Sequence, residues 1–168
     1  MDLILWRHAD AGDPLDDIAL DLQRKLTTKG EKQAARMADW LNRFLPESTR
    51  VLVSPALRCQ QTAQALGRKF QTREALGPGG TVGHLLTLAR WPDRREPVLI
   101  VGHQPTLGVT AATLMGGLSG GHEAAGTPQA HATPAWSVRK GAVWWLRHRV
   151  RAGVAEVVLV SVRSPDSL

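Results

Sequence analysis

Short apolar runs of this 168-residue chain stop at residues able to do chemistry. "LILW" (3–6) ends in Arg7 and His8. "VLV" (51–53) ends in Ser54 and Pro55, with Arg58 about one helical turn later. "VLIVG" (98–102) ends in His103. Arginine presents a planar fork of donors matched to carboxylate or phosphate oxygens. Two such forks converging with two imidazoles would make a strongly positive pocket, suited to a phosphoryl dianion. A neutral imidazole in line with phosphorus can act as nucleophile. Its intrinsic pKa of about 6.5 keeps that form available at cellular pH. The second imidazole can stay protonated, or donate a hydrogen bond to charge on the transferring group.

Two rival chemistries start from the same residues. A metal ion would be repelled by Arg7 and Arg58, despite nearby Asp10, and the histidine spacing matches no standard zinc pattern, so no metal is expected. Cys59 is a rival nucleophile, because thiolates also attack phosphorus. It falls inside a helix with no phosphate-cradling loop of amides after it, and reads as a small core residue. Tyrosine is absent, which removes phenol nucleophiles.

The elements that must position these groups alternate in type. Residues 27–46 give an amphipathic helix, with Ala34, Met37, Ala38, Leu41, Phe44 and Leu45 on one face, a threonine cap and a stop at Pro46. Residues 55–70 predict a helix with proline in its first turn; a weaker helix covers about 82–91, and another lies near 105–115. Strand–helix alternation implies parallel strands, hence an α/β fold: three α/β/α layers on a mostly parallel central sheet. In such sheets ligands sit beyond the carboxyl ends of the strands, which would carry both arginines and both histidines to one edge. The text at 117–134 is rich in Gly, Ala and Pro and predicts a surface loop or a site rim. "AWSVR" (135–139), "AVWWLRHRV" (142–150) and "AEVVLVSVR" (155–163) predict further strands, partly antiparallel, joined through Gly141 and Gly153. His84, His122, His131 and His148 read as structural or solvated, and the six tryptophans as packing residues.

Composition sets the class: 43% hydrophobic and 21% charged, with no repeat or dividing linker, which suits one domain over 1–168. The start of the chain does not read as a signal peptide, and no apolar run approaches a bilayer span. One cysteine forbids an internal disulfide and fits a reducing, cytoplasmic setting. The net charge of +6 comes from arginines spread along the chain, so neither nucleic acid nor membrane is an expected partner.

"LWRHADAG", "VLVSPALRCQQTAQAL" and "VLIVGHQPTLG", in this order, resemble the histidine phosphatase superfamily, with its phosphoglycerate mutase-like fold. The "RHA" form, "DLQRKLTTKG" at 21–30 and the short length are similar to the SixA-type phosphohistidine phosphatase branch. The resemblance implies that His8 accepts the phosphoryl group, that Arg7 and Arg58 clamp its oxygens, and that His103 stabilises it in transfer. It further implies that Arg24 faces the site and that Asp21 contacts substrate or assists proton transfer; Ser54 joins them as a substrate-binding candidate. Larger members of the superfamily carry a carboxylic acid that protonates an alcohol leaving group. Glu74, Asp93 and Glu96 lack the expected context for it, and imidazole leaves more readily than an alkoxide.

The expectation is therefore a phosphatase hydrolysing protein phosphohistidine through a phospho-His8 intermediate, without metal or organic cofactor, with a phosphohistidine-bearing protein as partner. The alternatives are a phosphomonoesterase on small sugar or nucleotide phosphates and a non-catalytic phosphate-recognising module.

Overall fold

Each strand end named above can be followed into three dimensions in a computed structural model, which describes residues 1–116 and 136–168. The segment expected at 117–134, with His122 and His131, lies outside the described residues. The elements run β1 (Asp2–Arg7), α1 (Ile18–Leu22), α2 (Thr28–Phe44), β2 (Arg50–Val53), α3 (Leu57–Gln64), β3 (Gln71–Thr72), α4 (Val82–Ala89), β4 (Val98–Gly102), α5 (Thr106–Met115), β5 (Val143–Arg151) and β6 (Val154–Arg163).

The six described strands form one sheet in the order β3-β2-β4-β1-β5-β6. β4 sits between β1 and β2 and is parallel to both, with Arg7 opposite Gly102 and Val53 opposite Val101. β5 runs antiparallel to β1, and β6 antiparallel to β5. The continuous apolar runs of β1, β2 and β4 follow from burial on both faces, as parallel strands require. On one face Ile4, Trp6, Val51, Val53, Leu99 and Val101 pack against α2 and α3. On the other, Leu3, Leu5, Leu52, Val98 and Ile100 pack against α4 and α5. The expected three layers are present, at roughly 1.5–3 kcal/mol for each large apolar side chain fully buried.

Local chemistry sets the helix starts. Thr27 caps α2 by accepting from the Gly30 N–H, and Thr81 caps α4 by accepting from the His84 N–H. Several boundaries differ from expectation. The helix expected over 55–70 occupies only Leu57–Gln64; the chain then turns at Gly67, with φ +64°, and adds the unforeseen edge strand β3. The described part of "AWSVR", residues 136–139, forms no strand. Phe44 is 58% exposed rather than on the buried face of α2, and Trp136 is 48% exposed, with one edge on Trp144. No helix among the described residues is long and apolar enough to cross a membrane.

Candidate active site

The ends of β1, β2 and β4 are stitched together by backbone bonds before any side chain takes part. His8 N–H donates to Gly102 O (3.1 Å), Ser54 N–H to Val101 O (3.0 Å) and Gly141 N–H to His8 O (3.0 Å). These bonds fix the main chain of His8, Ser54 and His103 on one sheet edge. The expected convergence of Arg7, His8, Ser54, Arg58 and His103 is what the structure shows.

The His8 and His103 rings stand with centroids 5.2 Å apart, tilted by 57°. His8 Nδ1 lies 2.8 Å from Ala9 O. A carbonyl only accepts, so Nδ1 carries the proton and Nε2 keeps the lone pair, the arrangement a nucleophile needs. Burial pushes the His8 pKa down to about 4, and the charges of Arg58, Arg7 and Arg24 push the same way against the Ala9 bond. Burial also takes His103 down to about 3, with His8, Arg58 and Arg7 adding and Asp21 opposing. Both rings are therefore neutral near pH 7.

Arg7 donates through Nη1 to Val138 O at 2.7 Å. Arg58 donates through Nη1 to Asp21 O (2.6 Å), and its Nη2 forms an ion pair with Asp21 Oδ2 (3.0 Å). The Nε–H groups of both arginines are buried and meet no acceptor among the described residues. An unpaired buried donor is costly, and a phosphoryl group bound against the two guanidinium groups would offer them acceptors. Burial pushes the Cys59 thiol up to about 12, so it is no thiolate at neutral pH and fails as the rival nucleophile. It still lines the site floor, with Sγ 3.5 Å from His103 Nε2. The described residues contain no cluster of His, Cys, Asp and Glu able to hold a metal ion.

Asp21 and Arg24 sit one layer out. Asp21 Oδ1 accepts from Arg24 Nε (2.9 Å) and from Leu15 N–H (3.1 Å). Burial works to raise the Asp21 pKa, but the Leu15 bond, Arg24 and Arg58 together bring it below the ordinary carboxylate range. Arg24 spends Nη1 on Ala11 O and Gly12 O, so its hydrogen bonds hold the loop after β1, while its charge still reaches His8. The Lys140 ammonium, 2.6 Å away, does most to hold the Asp10 carboxyl below its ordinary range.

Sequence reasoning missed several supports. Thr62 Oγ1 accepts from Ala9 N–H and donates to Arg58 O, tying the loop after β1 to α3. Its place four residues after Arg58, hence on the same helix face, was a usable signal. Gly30 meets the same loop: a Cβ there would lie 1.9 Å from Asp10 O, so any side chain would force α2 and the loop apart. The backbone at Val138 and Gly141 had no side-chain signal at all.

Comparisons with known proteins agree with this geometry. The sequence model of the histidine phosphatase superfamily (branch 1) matches residues 3–77. Phosphohistidine phosphatase SixA of Escherichia coli is 35% identical over 127 residues, covering 70% of this chain and 76% of that protein. An uncharacterized protein of Picosynechococcus is 38% identical over 131 residues, covering 73% of this chain and 78% of its own length. The solved structure of the protein histidine phosphatase SixA complexed with tungstate superposes with a TM-score of 0.66 at 26% identity, covering 99% of this chain and 98% of that one. With its fold, its three strand-end motifs and these relatives in agreement, the chain belongs to the histidine phosphatase superfamily, in its SixA branch.

Proposed function

We propose that this protein hydrolyses phosphohistidine on a partner protein in two displacements at His8. In the first, the His8 Nε2 lone pair attacks phosphorus, the substrate's P–N bond breaks, and its electron pair leaves with the substrate imidazole. If the distal nitrogen of that ring is already protonated, the ring departs neutral and needs no further proton. In the second, a water oxygen bonds to phosphorus, the bond to Nε2 breaks, and the water's protons end on phosphate and solvent. Arg7 and Arg58 hold the phosphoryl oxygens through both steps, and His103 stabilises the charge that spreads over them. No metal or organic cofactor enters either displacement.

One observation favours a P–N substrate over an ester. The described carboxylates Asp10 and Asp21 both lie below the ordinary carboxylate range, Asp10 mainly through Lys140 and Asp21 through the Leu15 N–H with Arg24 and Arg58, so neither offers a proton to an alkoxide. A phosphate ester needs that proton as its C–O–P bridge breaks, whereas an imidazole phosphorylated on one nitrogen and protonated on the other leaves neutral without it. The relatives support the same reading: E. coli SixA bears the name of this activity at 35% identity.

The test is hydrolysis of a phosphohistidine peptide beside a panel of sugar and nucleotide monophosphates. The peptide should win in kcat/KM by on the order of 10²–10⁴, the contribution a general acid makes where one exists. His8→Ala should remove turnover of either kind. Equal rates for esters and peptide would make the protein a general phosphomonoesterase; turnover of neither would make it a phosphate-recognising module.

A further inference from the structure

Ser54 directly follows β2 with its side chain completely buried, and its Oγ has two well-placed neighbours. Ala56 N–H donates to it at 3.2 Å, and His103 Nε2 lies 2.7 Å away. Donor accounting decides which of the last pair gives the proton. Ala56 N–H can only donate, so among the described residues Nε2 is the strong acceptor within reach of the hydroxyl proton. The Cys59 sulfur nearby is a weak acceptor. A buried hydroxyl avoids going unpaired, so Ser54 O–H points at Nε2. In a neutral ring Nε2 is then the lone-pair nitrogen, and the single ring proton sits on Nδ1.

Nδ1 faces Arg58, with Nη2 3.5 Å away. Guanidinium nitrogen only donates. Two N–H groups therefore converge with no acceptor between them, beside the ring of His8. The opposite tautomer would give Arg58 Nη2–H an acceptor at 3.5 Å, the limit of hydrogen-bonding distance, and turn the 2.7 Å contact into a bond from Nε2–H to Oγ, while leaving the Ser54 hydroxyl proton with no strong acceptor among the described residues. Placed between Nδ1–H and Nη2–H, a phosphoryl oxygen satisfies both donors at once.

We propose that Ser54 is a positioning residue for phosphoryl transfer: its O–H holds His103 Nε2 as an acceptor, so that Nδ1–H and Arg58 Nη2–H meet on one oxygen of the transferring group. This rests on the reading of His8 and His103 as a phosphoryl-transfer pair, and gives that reading a donor of defined identity. Substrate contact by Ser54 itself, the role expected from sequence, is unnecessary, because its hydroxyl is spent on the ring.

The experiment combines nitrogen NMR with kinetics. The ring ¹⁵N shifts of His103 are read with tungstate bound, in the wild type and in Ser54→Ala, which removes the hydroxyl and little volume. The wild type should show a protonated Nδ1 and an unprotonated Nε2; the variant should lose that preference and populate the Nε2–H form. Its kcat on a phosphohistidine peptide should fall by on the order of 10–100-fold, as when other partners that fix a histidine tautomer are removed, with KM little changed. A wild-type ring protonated on Nε2 overturns the proposal, as does a variant that keeps the wild-type tautomer or the wild-type kcat. Failure of the wild type to cleave phosphohistidine, with the Nδ1–H signature present, would defeat the substrate assignment and leave the role of Ser54 standing.

Discussion

Arginine occurs both beside the parallel strands and on the antiparallel ribbon, and its surroundings there have little in common. In the parallel half, β3-β2-β4-β1, Arg58 is 3% exposed and lies beside two buried histidines. In the antiparallel ribbon of β5 and β6, Arg147 pairs with Asp2 and Arg149 with Glu156, each at 2.6 Å and each with nearly half its side chain in water. Chain direction explains the contrast. Parallel strands deliver all their carboxyl ends to one edge, so polar groups at those ends accumulate into a pocket. A hairpin sends its strand ends to opposite edges, and its polar side chains alternate along a solvated face. Among the described residues, the stretch leading into the ribbon meets Arg7 and His8 through its backbone, with Val138 O on Arg7, Gly141 N–H on His8 O and Ala142 O accepting from Arg7 N–H.

The sharpest way to break this comparison is to make one substitution in each half. Arg58→Ala should lower kcat by on the order of 10²–10³, the usual loss when one preorganised donor to a developing oxyanion is removed. Asp21 would lose both of its contacts to Arg58 and remain held by Arg24 and Leu15 N–H, so the fold should persist. Rapid-quench turnover of phosphohistidine peptide, with circular dichroism as the folding control, measures it. A rate equal to wild type would remove Arg58 from the clamp.

The same contrast governs how much was legible in the residues themselves. β1 and β4 are continuous apolar runs buried on both faces, and Arg7, His8, Arg58 and His103 follow directly from where such runs stop. The ribbon strands 143–151 and 154–163 were also readable, because alternation and Gly153 mark a hairpin. The remaining elements had weak signals for physical reasons. α1 has five residues; its Ile18 and Leu20 are exposed, and tertiary bonds at Asp21 hold it rather than an apolar face. β3 is two polar residues paired to a sheet edge, below any periodicity. Residues 136–139 alternate like a strand, yet the Val138 carbonyl is taken by Arg7. Arg24 is the instructive residue in the site. Its i,i+3 pairing with Asp21 is visible in sequence, whereas its bonds to the Ala11 and Gly12 carbonyls depend on a loop path that no spacing encodes.

A second, smaller effect should separate the halves by pH. In the unfolded chain both site imidazoles bind protons near the ordinary pKa of about 6.5, but burial holds folded His8 to about 4 and His103 to about 3. Between these values the unfolded state carries more protons, so stability rises with pH in this window. Acidification from about pH 6.5 should therefore erode stability steadily, and the contribution should flatten below the folded values. Asp2, Asp10 and Asp21, whose pKa values are lowered in the fold, act only further down, within and below the ordinary carboxylate range. Urea midpoints between pH 7 and 4.5 should fall in the wild type and fall much less in a His8→Asn, His103→Asn double variant. An unchanged slope would mean that the two rings are not held neutral by burial.

The smallest effect belongs to the ribbon. Arg149 and Glu156 face each other across β5 and β6 in register, both well exposed. Cross-strand ion pairs of this kind contribute little, since water screens the attraction and two long side chains must be ordered to make it. Arg149→Ala should lower stability by no more than about 1 kcal/mol, and should leave both kcat and KM for phosphohistidine peptide at the wild-type values. The same arginine-to-alanine change is thus near-silent in one half of the sheet and severe in the other. If Arg149→Ala raised KM while stability held, the exposed face of the ribbon would be touching the partner protein. Catalysis would then draw on a surface that the carboxyl edge of the parallel strands does not include, and the division of labour between the two halves would be wrong.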